Sequence, residues 1–166
     1  QSEEVHRFPN TPVTVEGRIY WDILRLWHEV TAGIDKAADG AASLGINVWG
    51  VDFGLLDCDG RLLSNPVHYR DNRTSGVMEW VFERIPRREV FERTGGQFLQ
   101  LNTLYQLASM KRDNSPLLEI ATTYLGLPDL FNYWLTGQKA AEFTHATTTQ
   151  FFNPRANDWD RDILQA

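Results

Sequence analysis

Between Asp22 and Gly40 the apolar positions Ile23, Leu26, Trp27, Val30 and Ile34 follow the i, i+3, i+4, i+7 spacing of one helix face. This predicts an amphipathic helix with Asp22 as its N-cap and Gly40 as its stop. Upstream, Glu4 to Phe8, closed by Pro9-Asn10, reads as a strand, and Val13 to Glu16, ended by Gly17, as a second. Downstream, Ile46 to Val51 reads as a buried strand with Gly50 inside it. The order strand, helix, strand favours an α/β unit with a crossover helix. Asp57-Cys58-Asp59-Gly60 then turns Gly54-Leu55-Leu56 back onto Arg61-Leu62-Leu63, so the predicted sheet is mixed. Pro66 limits the next extended segment to an edge.

From Thr74 the pattern turns helical. Val77, Trp80, Val81 and Phe82 lead to Pro86, and a second helix runs from Arg87 to Thr94 with Gly95-Gly96 as its stop. Asn102-Thr103 caps Leu104 to Arg112, Ser115-Pro116 opens Leu117 to Tyr124, and Pro128-Asp129 opens Leu130 to Leu135, ended by Thr136-Gly137. Ala141 to Thr149 has no clear period, and Asp158 to Ala166 reads as a helix cut short. A small mixed β/α half is thus followed by a helical half. The chain starts at Gln1 and ends inside a helical pattern, so a piece of a longer protein is expected.

Composition narrows the function. A chain of 166 residues with 42% hydrophobic content is one domain with a real core. The net charge of −6 disfavours nucleic acid or an anionic membrane as partner. One cysteine, Cys58, excludes an internal disulfide and fits a reducing compartment. No apolar run approaches a membrane span, and no signal peptide is visible. The four histidines are scattered, which leaves no metal spacing, and no phosphate-binding glycine loop or nucleophile elbow is present.

Candidate chemistry gathers in two stretches. Asp52 stands in an apolar run, where its carboxylate either caps a neighbouring element or orders a polar ligand, since a buried charge needs partners. Trp49 serves as core or as a flat wall beside Gly50, where a ligand could approach the backbone. Arg70, Asp71 and Arg73 form either a solvated loop with local ion pairs or part of the same site. These residues sketch a floor for a small polar molecule and name no reaction.

Read together, His6-Arg7-Phe8, Trp21-Asp22, Trp49-Gly50-Val51-Asp52-Phe53, Tyr69-Arg70-Asp71 and Arg73-Thr74 resemble the rhamnulokinases of the FGGY carbohydrate-kinase family. Gly96-Gln97-Phe98-Leu99, Asn102 to Leu107, Pro128-Asp129, Leu135-Thr136-Gly137 and Thr147-Thr148-Thr149-Gln150 continue the series along nearly the whole chain. Single motifs are weak; the ordered series is specific.

The resemblance implies an α/β, actin/ribonuclease-H-like N-terminal lobe of a two-lobed sugar kinase, truncated at both ends. It implies phosphorylation of L-rhamnulose from ATP and Mg in the cytoplasm, during L-rhamnose catabolism. Gly50 matches the family glycine whose backbone approaches the sugar. Trp49, Asp52, Asp71 and Arg73 are the further substrate-binding candidates. The phosphate loop is expected upstream of His6, and the catalytic base, an Asp in a Gly-His-Asp context, beyond Ala166. No catalytic residue, metal ligand or bound cofactor is therefore expected in this piece, which alone should be inactive. The missing upstream hairpin should leave an exposed sheet edge and favour self-association. Two rival readings are another FGGY ketose kinase, acting on L-fuculose or D-xylulose, and a truncated non-catalytic sugar-binding or assembly module. The chain departs from the family pattern at Asn47-Val48, where Asp-Thr is usual, at Gln100, where proline is common, and at His145, where asparagine is common.

Overall fold

The computed structural model describes residues 2–166. Its elements follow the polar and apolar pattern closely in the helices. Asp22 caps helix α1 (Ile23–Ala37), its side chain accepting from the Arg25 N–H. Helix α2 covers Val77–Phe82 and α3 Arg87–Thr94, which ends on Gly95 at φ 66°. Helix α4 is Thr103–Arg112, and α6 (Leu127–Thr136) stops on Gly137 at φ 73°. Both glycines take the left-handed conformation that closes a helix without side-chain strain. A short helix α5 (Leu117–Ile120) precedes α6, and α7 (Phe143–Ala146) and α8 (Arg161–Gln165) follow it.

The strands differ from expectation. The pairs are β1 (Val13–Val15) with β2 (Arg18–Tyr20), β3 (Phe53–Leu56) with β4 (Thr123–Gly126), and β5 (Phe152–Asn153) with β6 (Asp158–Trp159). All three are antiparallel, so among the described residues there is no parallel crossover and no single mixed sheet. The α/β class holds, and most helices follow β3, but β4, β5 and β6 lie in the half expected to be helical. Residues 4–8 are not a strand, because nothing among the described residues pairs with them.

The expected strand at Ile46 to Val51 is displaced to Phe53–Leu56. Val51 takes φ 73°, which breaks an extended run, and the ladder begins only where β4 lies opposite, with Phe53 facing Gly126. Trp49 and Gly50 therefore lie in an irregular approach, and Asp52 lies immediately before β3.

The expected helix from Leu117 to Tyr124 stops at Ile120. Ala121 turns extended at ψ 130°, and Thr122-Thr123-Tyr124 is better suited to a ladder. Thr122 N–H accordingly reaches Leu56 O at 2.9 Å. At the end of the chain, Asp158-Trp159 pairs as β6, and Asp160 caps the shorter α8 by accepting from Ile163 N–H. The hairpin through Gly60 forms as the sequence predicts, with Leu63 N–H donating to Leu55 O at 2.9 Å.

β3 is buried on both faces. Phe53 and Leu55 pack with Met110 of α4, whereas Leu56 joins the core of Trp21, Ile23, Leu26, Leu127, Leu130 and Phe131. The period-two alternation of a strand separates these two clusters. Gly54 lets α6 sit on the strand: a Cβ there would lie 3.0 Å from Leu130 Cδ2 and 2.9 Å from Leu62 Cδ1. With α4 and α6 packed on β3, Asp52 sits among Trp21 ahead of α1, Trp49, Tyr69 and Gln106 of α4.

Candidate functional site

Asp52 is wholly buried, at 0% exposure. Its Oδ2 accepts from Trp21 Nε1 at 2.6 Å, Trp49 Nε1 at 2.9 Å and the Tyr69 backbone N–H at 3.3 Å. Its Oδ1 accepts from Gln106 Nε2 at 3.1 Å. Burial pushes this carboxyl above its ordinary range, opposed by the donors from Trp21, Gln106 and Trp49 and by His68. Of the two roles weighed from sequence, its hydrogen bonds all serve the first, going to neighbouring segments of the chain. The carboxylate joins four segments of chain, and its neighbours form the candidate floor.

Trp49 is half-buried, and its ring lies 4.2 Å from that of Trp21, centroid to centroid. Trp21 in turn stacks on His68 at 4.0 Å. Trp49 also lines a groove of about 600 Å³ with Phe8, Leu26, Val30, Asn47 and Val48. It is thus a core packer that also lines a groove, and that groove's lining includes neither Gly50 nor Asp52, Asp71 or Arg73.

Asp71 caps the turn at Asn72–Thr74 through the Arg73 N–H at 2.9 Å. It also accepts from Ile19 N–H at 2.9 Å and from Arg18 at 3.1 Å. Burial works to raise its pKa, but the Ile19 and Arg73 N–H groups and Arg18 hold it below the usual value. Arg73 donates to Gln106 Oε1 at 2.6 Å, and burial draws its guanidinium down to about 10. The two residues therefore belong to an ordered network and not to a solvated loop.

Gly50 lies at the edge of this network. A Cβ on it would meet Thr148 Oγ1 at 3.5 Å, an ordinary contact, and its φ is not in the left-handed region. Its side-chain face is therefore turned towards Thr148.

Trp49, Asp52, Asp71 and Arg73 are thus joined through Gln106, with Gly50 beside them. Sequence reasoning missed Gln106, the Trp21 indole and Thr103. Gln106 carried one signal: it is a polar residue between Tyr105 and Leu107 in an otherwise apolar helix stretch.

A second polar cluster lies near Thr148. His145 is buried against Gly126, where a Cβ would lie 2.1 Å from its ring, and its Nδ1 is 4.0 Å from Asp129 Oδ2. Burial lowers the pKa of both His145 and His68 below 6.5. An unfolded chain takes up these protons near 6.5 while the folded one resists them, so the histidines' contribution to stability is greatest above 6.5 and falls as pH drops towards the lower folded values, opposed by the raised carboxyls of Asp52 and Asp129. Unfolding in urea is therefore expected at a lower midpoint at about pH 5.5 than at about pH 7.5. His145→Gln should flatten part of that slope; an unchanged slope would remove His145 from the account.

Comparison with known proteins gives this network its family. The profile of the FGGY family of carbohydrate kinases, N-terminal domain, matches residues 4–166. The chain belongs to the FGGY family of carbohydrate kinases. It is 45% identical over 99% of its length to a rhamnulokinase of Oceanobacillus iheyensis, and 41% identical over all of it to one of Halalkalibacterium halodurans. It spans about 36% of the length of each. A crystal structure of xylulose kinase from Rhodospirillum rubrum superposes with a TM-score of 0.80 at 21% identity, covering 95% of this chain and 35% of that one. The fold is thus that of an FGGY N-terminal domain, of the actin/ribonuclease-H-like type, as the motif series implied. Among the described residues, no helix is long and apolar enough to cross a membrane.

Proposed function

We propose that this chain is the sugar-holding N-terminal part of an ATP-dependent kinase that phosphorylates L-rhamnulose. The observation that carries this reading is the 45% identity, over 99% of the chain, to a protein named rhamnulokinase. The buried network supports it physically. Phosphoryl transfer depends on positioning the attacking hydroxyl, and a rigid, hydrogen-bonded floor at Trp49-Gly50 supplies that.

The sugar rests on this floor, with the Gly50 backbone and the Trp49 ring as its nearest contacts. Asp52, Asp71 and Arg73 act behind them, holding the floor in shape. For the full-length enzyme this reading implies ATP and Mg; among the described residues no three His, Cys, Asp or Glu side chains converge for a metal. No step through the nucleotide is therefore assigned to these residues. The reading places the protein in the cytoplasm with L-rhamnose catabolism. It also lets the isolated piece self-associate. The outer edge of β1 has no partner among the described residues, and its Val13 and Val15 are 43% and 52% exposed.

The test is ATP consumption by the full-length protein with L-rhamnulose, L-fuculose, L-ribulose and D-xylulose. Turnover selective for L-rhamnulose is expected. Preference for another ketose would move the assignment within the family, and no turnover with any would overturn it.

A further inference from the structure

Gly50 O accepts from the Asp52 N–H at 3.0 Å across a single residue, and that residue, Val51, has φ 73°. An i to i+2 hydrogen bond around a positive φ is the rarer, strained form of the γ-turn. A β-branched residue at positive φ is an outlier that persists only where its surroundings hold it. Two side chains of α4 do so. Thr103 Oγ1 donates to Val51 O at 2.8 Å, and Gln106 Nε2 to the same oxygen at 3.2 Å. Thr103 is at 0% exposure and Gln106 at 1%, so neither bond competes with water. Gln106 Nε2 has only two hydrogens for Val51 O, Asp52 Oδ1 and Leu101 O at 2.9 Å, which leaves Thr103 as the undivided donor.

We propose that Thr103, with Gln106, is a positioning residue for the sugar. Both clamp the Val51 carbonyl and hold the strained Gly50–Val51–Asp52 turn in the shape that presents the Gly50 backbone to the ketose. This rests on the reading of Gly50 as a sugar contact. Strain stored at a binding turn serves pre-organisation: the turn does not have to be ordered when the ligand arrives. Neither side chain touches the ligand, and their effect passes through Val51.

The test uses the full-length protein and L-rhamnulose. Thr103→Val is nearly isosteric and removes the hydroxyl that donates to Val51 O. It is expected to raise the KM for the ketose roughly five- to tenfold, the range of one hydrogen bond, with the KM for ATP unchanged. Thr103→Ser, which keeps the hydroxyl, should restore the ordinary value. In a Val51→Gly background the same Thr103→Val change should alter the ketose KM by less than about twofold, because glycine takes this φ without strain. Equal losses in both backgrounds, a parallel rise for ATP, or an unchanged ketose KM would overturn the proposal. A second measurement needs no variant. Amide exchange at Asp52 should slow at least about tenfold with saturating ketose if the turn is the presenting element, and unchanged exchange counts against it. A protein that binds no ketose defeats the functional reading and this inference with it. One that binds L-rhamnulose normally with Thr103→Val defeats this inference alone.

Discussion

Asp52→Ala is expected to be the most destabilising single change in the network, by about 3–5 kcal/mol, read as a shift in the urea midpoint. Two effects oppose each other. Removing a buried carboxylate relieves the desolvation that raises its pKa. It also strands the indole N–H groups of Trp21 and Trp49, the Tyr69 N–H and one branch of Gln106. Each buried donor left unpaired costs about 1–3 kcal/mol, and there are several against one relieved charge, so the loss dominates. Asp52→Asn should fall between: its carbonyl can serve one side, but its NH2 then meets N–H donors on the other. Against a typical total of about 5–15 kcal/mol, the alanine variant would be close to unfolding at 37 °C. A midpoint shift worth less than about 0.5 kcal/mol, the size of an ordinary surface substitution, would show that the network is dispensable.

Gly50→Val is expected to abolish ketose binding in the full-length protein, with a loss beyond about 100-fold, and to leave the fold standing. The space beside Gly50 decides the second half. A Cβ at Gly50 lies 3.5 Å from Thr148 Oγ1, and the position needs no left-handed backbone, so the first carbon fits and the γ-carbons ask only the Thr148 side chain to move. The functional cost follows from bulk placed where a backbone is meant to approach the sugar. Gly50→Ala should bind with an intermediate affinity, because its single carbon points towards Thr148. Calorimetric titration with L-rhamnulose checks both; retained affinity in the valine variant would remove Gly50 from the binding floor.

Elements set by local chemistry were legible in the sequence. Helices α1, α3, α4 and α6 announce themselves through caps, glycine stops and apolar spacing, and the Asp57–Gly60 turn through its Asp-Gly. Elements set by a distant partner were not. Phe53–Leu56 became a strand, rather than Ile46 to Val51, because β4 lies opposite it, and Thr123–Gly126 became β4 for the same reason. Propensity cannot see across that gap, so the apolar tail of α5 read as more helix. The candidate site divides the same way. Asp52 as a buried acceptor could be read from residue type, whereas residue type left Arg70, Asp71 and Arg73 open between a solvated loop and part of the site. The partners that give Asp52 its role, Trp21 and Gln106, lie far away in sequence, and no spacing rule links them. The family series along the chain supplied what local physics could not.

The pairing of β3 with β4 has a consequence for how the chain is made. Leu55 faces Tyr124, so the strand at the centre of the core waits for most of the chain to be synthesised before it finds its ladder partner. The hairpin bond from Leu63 to Leu55 can close early, because its loop is short, whereas the long closure to β4 carries a larger entropic cost. On the ribosome, Trp21, Trp49 and Asp52 are all synthesised before Gln106 and lack it until α4 follows, and β4 comes later still. During that interval β3 keeps an apolar edge open, the condition under which a nascent chain engages chaperones or its neighbours on a polysome.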